Sequence, residues 1–321
     1  MKHIVILSWK SSGSSALYRR FVTGGGGRGV SWTPHFKNET LYWTKAASIL
    51  GLDQASMLDS VVPVTADRAE RELSLFLGRN LGEPSPAVNT KLLLFEGWRR
   101  LCLRHAPLFI EKSPHHLAQR AALDLMMQFD AANPDIEVRY VGLVRNPMDS
   151  LYSAYRRWGT IPEMGQHEWA LCYLNLREMK ARLGERLVIA RYEDLAANPA
   201  ALEGVAQALG ITLAGGEAAR LHARAIGKWR ADRLYGFELE PAVAEIAAGY
   251  GYAPEELANS GKALWPATRN ARRAFTVAIS PLKQAYALYR ERGRRGPALS
   301  GRAAASARRS RGSTRHPSRP T

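Results

Sequence analysis

The feature that most constrains this chain is its opening stretch, Lys2–Phe21, in which an apolar run breaks into a loop of small hydroxylated residues and then into a helical pattern. Ile4, Val5, Ile6 and Leu7 leave no polar position on either side, which suits a strand buried on both faces, as in a parallel sheet. Leu17, Tyr18 and Phe21 then recur at helical spacing. Between the two lie Ser11, Ser12, Gly13, Ser14 and Ser15. Gly13 permits positive φ and close approach of the backbone to a ligand, while hydroxyls and free N–H groups at a helix start suit a phosphate oxygen. The same pattern serves as an ordinary strand-to-helix connection, so its meaning depends on the rest of the chain.

Further along, short apolar runs alternate with helical patterns. Leu108–Ile110, Val138–Val144 and Leu187–Ala190 read as three more buried strands. Helical spacing covers Glu39–Leu50, Ala66–Leu77 with Thr65 as N-cap, Val88–Arg104, Leu117–Phe129, Glu168–Leu183 and Leu195–Leu209, the last interrupted by Asn198-Pro199. Pro147 suits the first turn of another helix. Gly24–Gly29 reads as a loop and Val30–Phe36 as a short extended segment. This order predicts an α/β fold with a central, mostly parallel sheet and helices on both faces.

In such sheets ligands gather beyond the carboxyl ends of the strands. Each expected strand here ends in polar chemistry: Ser8–Ser15, Glu111–His116, Arg145–Asp149 and Arg191–Asp194. Four such ends on one rim make a site for a polyanion. Neither Lys10–Ser15 nor the Gly24–Gly29 cluster has the order of a Walker A loop, which disfavours a nucleotide or small-molecule kinase of the P-loop type.

On these residues the chain resembles the sulfotransferases that use 3′-phosphoadenosine 5′-phosphosulfate (PAPS), from Lys2 to about Tyr252. Arg145-Asn146-Pro147-Met148-Asp149, with Ser153 eight residues after the arginine, is similar to that family's 3′-phosphate motif. Ser12-Gly13-Ser14-Ser15 is similar to its 5′-phosphosulfate loop, except that Lys10 stands where a proline is expected and Ser11 where a basic residue is. Glu111-Lys112-Ser113-Pro114 resembles a segment of the carbohydrate-modifying branch. Arg191-Tyr192-Glu193-Asp194 and Lys228-Trp229-Arg230 match weaker signatures.

The resemblance implies a P-loop-like fold, PAPS as sulfonyl donor and no metal. It implies that Ser11, Ser12, Gly13, Ser14, Ser15, Arg145, Ser153, Tyr192, Lys228, Trp229 and Arg230 hold the nucleotide. Lys112 and Lys10 become sulfonate-side cations. Glu39 or His35 becomes the base that takes the proton from a hydroxylated acceptor, a carbohydrate or glycolipid, with Glu39 resembling the solution of the carbohydrate branch.

Charge bears on organisation more than on fold. Of the net +16, the stretch from Arg269 to Thr321 carries 14 Lys and Arg against Glu291 alone, leaving 31 basic and 28 acidic residues before it. Whole-chain basicity therefore does not argue for a nucleic-acid-binding fold, and no specific nucleic acid is expected. We expect a domain over residues 1–259 and a basic extension over 260–321, disordered from about 290, with Phe275–Tyr289 as an amphipathic helix suited to an anionic membrane surface or another polyanion. A nonenzymatic protein acting through that extension is the second alternative function. Cys102 and Cys172 offer neither a disulfide framework nor metal-ligand spacing. No secretory leader pattern and no apolar run of membrane-spanning length are visible, so a cytoplasmic location, peripheral at the inner membrane surface, is the expectation.

Overall fold

The computed structural model describes residues 1–34, 38–214 and 221–294. Four strands, β1 (Lys2–Leu7), β2 (Leu108–Lys112), β3 (Glu137–Val144) and β4 (Leu187–Arg191), form one sheet in the order β2-β1-β3-β4. Every pairing is parallel, with Ile4 facing Ile110 on one side and Arg139 on the other. Such a sheet needs cover on both faces, and the side-chain alternation of β1 provides for it. Ile4 and Ile6 join a core with Leu17, Phe21, Leu195, Leu202 and Ala206, whereas Val5 and Leu7 join the larger core on the opposite face.

The helices follow as α1 (Ser14–Gly24), α2 (Tyr42–Ile49), α3 (Ala66–Leu81), α4 (Lys91–Arg104), α5 (Pro114–Leu117), α6 (Arg120–Ala132) and α7 (Pro147–Trp158). After them come α8 (Pro162–Leu183), α9 (Tyr192–Ala197), α10 (Pro199–Ala208), α11 (Pro241–Ala248), α12 (Pro254–Leu257) and α13 (Trp265–Arg294). Helices α1, α9 and α10 cover the first face, and α2, α4, α6, α7 and α8 pack into the second core. Three boundaries among the described residues are set by side chains acting as N-caps: Thr90 Oγ1 accepts from the Leu93 N–H, Asn146 Oδ1 from the Met148 N–H and Asn198 Oδ1 from the Ala200 N–H. No described helix is long and apolar enough to cross a membrane.

Two local expectations need correction, and the extended segment expected over Val30–Phe36 joins no strand over residues 30–34 and lies outside the described residues at 35 and 36. Arg28, inside the glycine-rich loop, bridges to β2, donating its N–H to Leu108 O at 2.9 Å and accepting from the Ile110 N–H at 2.8 Å. The helix expected over Leu117–Phe129 is two helices broken at Gln119, whose side-chain amide exchanges hydrogen bonds with the Ala55 backbone at 2.8 and 2.6 Å. Helix α8 starts at Pro162, six residues before the expected Glu168, because Pro162 occupies a first-turn position.

The chain divides into two units, Met1–Asn270 and the segment from Ala271 on. At the end of the first, Trp265 is buried against Tyr155 and Tyr235, and its Nε1–H donates to Glu163 Oε1 at 3.0 Å. Replacing Trp265 by Ala is expected to lower the stability of this unit by about 3–5 kcal/mol, measured by urea denaturation. By the same reasoning truncation after Asn259, which removes Trp265, should cost far more stability than truncation after Asn270. Equal midpoints for the two truncated chains would contradict this.

Candidate functional site

The four strand ends meet on one rim. After Leu7 the backbone turns through Ser8–Ser12, with Ser11 at φ 64° and Gly13 at φ 95°, and enters α1. Gly13 is the position where glycine is required: a Cβ there would stand 2.4 Å from Tyr192 Cε2, besides carrying a left-handed backbone. The first N–H groups of α1 have no intrahelical partner and carry the positive end of the helix dipole. Beneath the turn lies the buried Tyr173 hydroxyl, which donates to Leu143 O at 3.0 Å and is reached by Ser12 Oγ at 3.2 Å and the Trp9 N–H at 3.5 Å. Ser12 and Ser14 are buried and Ser15 is exposed. The small-residue loop is thus held from below and open above.

Arg145, at the end of β3, closes the loop from the side. Its guanidinium donates to Ser11 O at 3.0 Å and to Ala225 O at 2.7 Å, and stacks over the Tyr192 ring at 4.8 Å. Arg145 Nε and Ser11 Oγ are buried and have no hydrogen-bond partner among the described residues. Two unsatisfied donors beside a helix N-terminus, next to a glycine whose Cβ would meet Tyr192, fit an anionic ligand such as a phosphate or phosphosulfate. Tyr192, which begins α9 after β4, donates its hydroxyl to His222 O at 3.3 Å. Ser153 is half-buried on α7, well inside the helix that Asn146 caps.

The basic triplet sits nearby on a short 3-10 turn, Lys228–Ala231, anchored where the Gly227 N–H donates to Asp149 Oδ1 at 2.8 Å. Trp229 is buried under Arg230, which donates to Glu255 O and Glu256 O at 2.9 and 3.1 Å, while Lys228 faces solvent. Burial pushes the Asp149 carboxyl up to about 6 against the opposing pull of Arg145 and the Gly227 N–H. Glu193 is structural: it accepts from the Asn146 N–H at 3.1 Å and from the Tyr252 hydroxyl at 2.8 Å.

A second cluster stands at the ends of β1 and β2. Lys112 is buried and bonds Glu39 Oε1 at 2.5 Å, with His115 Nδ1 3.7 Å from Glu39 Oε2. Lys10 donates to Leu58 O at 2.7 Å and lies 3.2 Å from Glu168 Oε1. Burial holds His115 below the usual imidazole range; Glu39 and Glu168 pull it up while Lys10 and Lys112 push it down. These five charged or titratable groups therefore share one field. Sequence reasoning found Lys10, Glu39 and Lys112 but missed Glu168, which reads as an ordinary helix-surface residue of α8. His35 lies outside the described residues. No cluster of metal-ligating residues exists among the described residues.

Under the cluster, Glu111 is buried and accepts from Thr40 Oγ1 at 2.8 Å and Ser113 Oγ at 2.7 Å. Burial pushes its carboxyl up to about 7, more than those hydrogen bonds and Lys112 pull it down. A carboxyl raised in the folded state contributes stability that is full below its unfolded value of 4.5 and is lost as pH rises through about 7. Glu111→Gln should therefore remove that slope between those two pH values, read as the pH dependence of the denaturation midpoint relative to wild type. Parallel profiles would contradict the raised value. Gly13→Ala should cost about 1–3 kcal/mol from the left-handed backbone alone, and should displace Tyr192, visible in its ring resonances.

A concavity of about 610 Å³ lies elsewhere, between α8 and α10 along β4.

No family model matches the chain, and no curated protein matches it in sequence. Among solved structures, the sulfotransferase domain of the Synechococcus PCC 7002 olefin synthase aligns at a TM-score of 0.53 and 20% identity, over 79% of this chain and 95% of that one. A sulfotransferase from Alicyclobacillus acidocaldarius aligns at 0.41 and 16% identity, over 78% and 91%, and one from Mycobacterium avium at 0.42 and 13%, over 81% and 78%. With its parallel four-stranded sheet, its strand-loop-helix opening and its helices on both faces, the chain has the P-loop-like α/β fold seen in the sulfotransferase domain it resembles.

Proposed function

We propose that this chain is a PAPS-dependent sulfotransferase acting on a hydroxylated acceptor, a carbohydrate or glycolipid. The observation that carries the reading is the anion cradle itself: Gly13 at φ 95° opening α1, with Ser11 Oγ and Arg145 Nε buried and unsatisfied beside it. PAPS would supply a sulfonyl group already activated by its link to phosphate. Ser11, Ser12, Gly13, Ser14 and Ser15 would hold the phosphosulfate end. Arg145 and Ser153 would hold the 3′-phosphate, with Lys228 and Arg230 closing over it and Tyr192 and Trp229 beside the adenosine. Because Ser12 Oγ is engaged by Tyr173, its part is to shape the loop.

Lys112 and Lys10 supply the positive charge that sulfonyl transfer needs on the departing phosphate oxygen. Glu39 takes the acceptor proton as the new S–O bond forms. Its Oε1 is occupied by Lys112, which leaves Oε2, on the His115 side, as the accepting atom. A carbohydrate or glycolipid acceptor is supported by the Glu111-Lys112-Ser113-Pro114 segment and by Glu39 as base. A peripheral contact with an anionic membrane surface is supported by the basic stretch from Arg269 and by the exposure of Phe275 and Val277 in α13.

The test is transfer of radiolabelled sulfonate from PAPS to a panel of glycans, glycolipids and small alcohols. Glu39→Gln should retain nucleotide binding while turnover falls by on the order of 100-fold. Near-wild-type turnover would reject Glu39 and move the role to His35, with His35→Ala as the next variant. Arg145→Ala should weaken binding of adenosine 3′,5′-bisphosphate by about 2–4 kcal/mol in calorimetry. Equal affinity in wild type and variant would remove Arg145 from the nucleotide site.

A further inference from the structure

The carboxylate of Glu168, 8% exposed on α8, collects three donors from two distant parts of the chain. Oε1 accepts from Trp9 Nε1 at 2.8 Å and faces the Lys10 ammonium at 3.2 Å, while Oε2 accepts from the Leu58 N–H at 2.7 Å. Lys10 in turn donates to Leu58 O at 2.7 Å. Leu58 is thus bound through both of its backbone groups, its N–H to the carboxylate and its carbonyl to the lysine that the carboxylate holds. Leu58 belongs to the stretch between α2 and α3, where Asp59 has φ 52° and where Ala55 is bonded through both backbone groups to Gln119.

We propose that Glu168 is a positioning residue that fastens the stretch around Leu58 to the anion-binding loop through Lys10, so that a ligand in the loop changes the hold on that stretch. An anion in the loop and the Glu168 carboxylate compete for the same ammonium. Leu58 O and Glu168 Oε1 take two of the three ammonium donors, so an anion would take the third and draw the charge away from the carboxylate. The stretch around Leu58 borders the Lys10, Glu39 and Lys112 cluster, so the same bonds set the wall beside which an acceptor would enter. This inference rests on the sulfotransferase reading for the identity of the anion, but the mechanical link does not require it.

The experiment is hydrogen exchange, read by mass spectrometry on peptides containing Lys10 and Leu58 from the full chain, with and without adenosine 3′,5′-bisphosphate, in wild type, Glu168→Gln and Lys10→Met. Without nucleotide, Glu168→Gln should raise exchange at both peptides by about tenfold, the size expected for losing a hydrogen bond to a buried charge. Lys10→Met should raise it at Leu58, and the double variant should fall short of the product of the two single effects, because the two residues belong to one linked network. With nucleotide, exchange at Leu58 should change in wild type and stay unchanged in Glu168→Gln that still binds it. Overturning results are multiplicative effects in the double variant, a rise at only one of the two peptides, or the same nucleotide response at Leu58 in both proteins. Should wild type fail to bind the bisphosphate at all, the sulfotransferase reading falls, and the nucleotide-free comparison alone decides the link.

Discussion

The Arg145 guanidinium is the interaction on which the rest of the site depends. A buried charge is costly unless its donors are met, and this one is met by backbone carbonyls of two segments far apart in sequence, Ser11 and Ala225, and by the face of Tyr192. Those contacts hold the opening loop, the strand end of β3 and the turn after His222 in one place. Because Tyr192 also lies against Gly13, the loop is fixed from two sides by groups at the ends of β3 and β4. The Tyr173 hydroxyl fixes it from below. The result is a preorganised cradle whose remaining donors face a ligand, the arrangement that costs least at the moment an anion binds.

Charge on the other half of the rim is arranged in pairs. Lys112 with Glu39 and Lys10 with Glu168 keep two cations close to the loop without leaving either uncompensated in a largely buried region. Each pair has a different consequence. The Lys112–Glu39 pair sets an ammonium and a carboxylate within one hydrogen bond of each other, whereas the Lys10–Glu168 pair connects the loop to the backbone of Leu58. Glu111 beneath them, its carboxyl pushed up to about 7 by burial, shapes the cluster through its hydrogen bonds from Thr40 and Ser113.

How much of this was legible in the sequence follows from the range of the forces involved. The four strands were visible because strands buried on both faces must be nearly continuous apolar runs, and the helices because their faces repeat. Lys10, Lys112, Arg145 and Tyr192 stood out because each follows within three residues of such a run. Gln119, Glu168 and Tyr173 did not, since each lies inside or next to a helical pattern and acquires its meaning from partners 64, 110 and 30 positions away, Ala55, Leu58 and Leu143. Arg28 was unreadable for a similar reason: its bridge to β2 lies in a glycine-rich loop, where local propensity argues against any pairing.

The central claim is that the loop and Arg145 together form a site for a nucleotide carrying a 3′-phosphate, and the most direct measurement is comparative calorimetry on the wild-type chain. Adenosine 3′,5′-bisphosphate should bind at least about 100-fold more tightly than adenosine 5′-phosphate, since loss of the 3′-phosphate forfeits a charge-assisted contact of about 3 kcal/mol with Arg145. Equal affinity for the two, or a preference for ATP with magnesium over the bisphosphate, would contradict the account and favour a phosphoryl-transferring enzyme on the same fold.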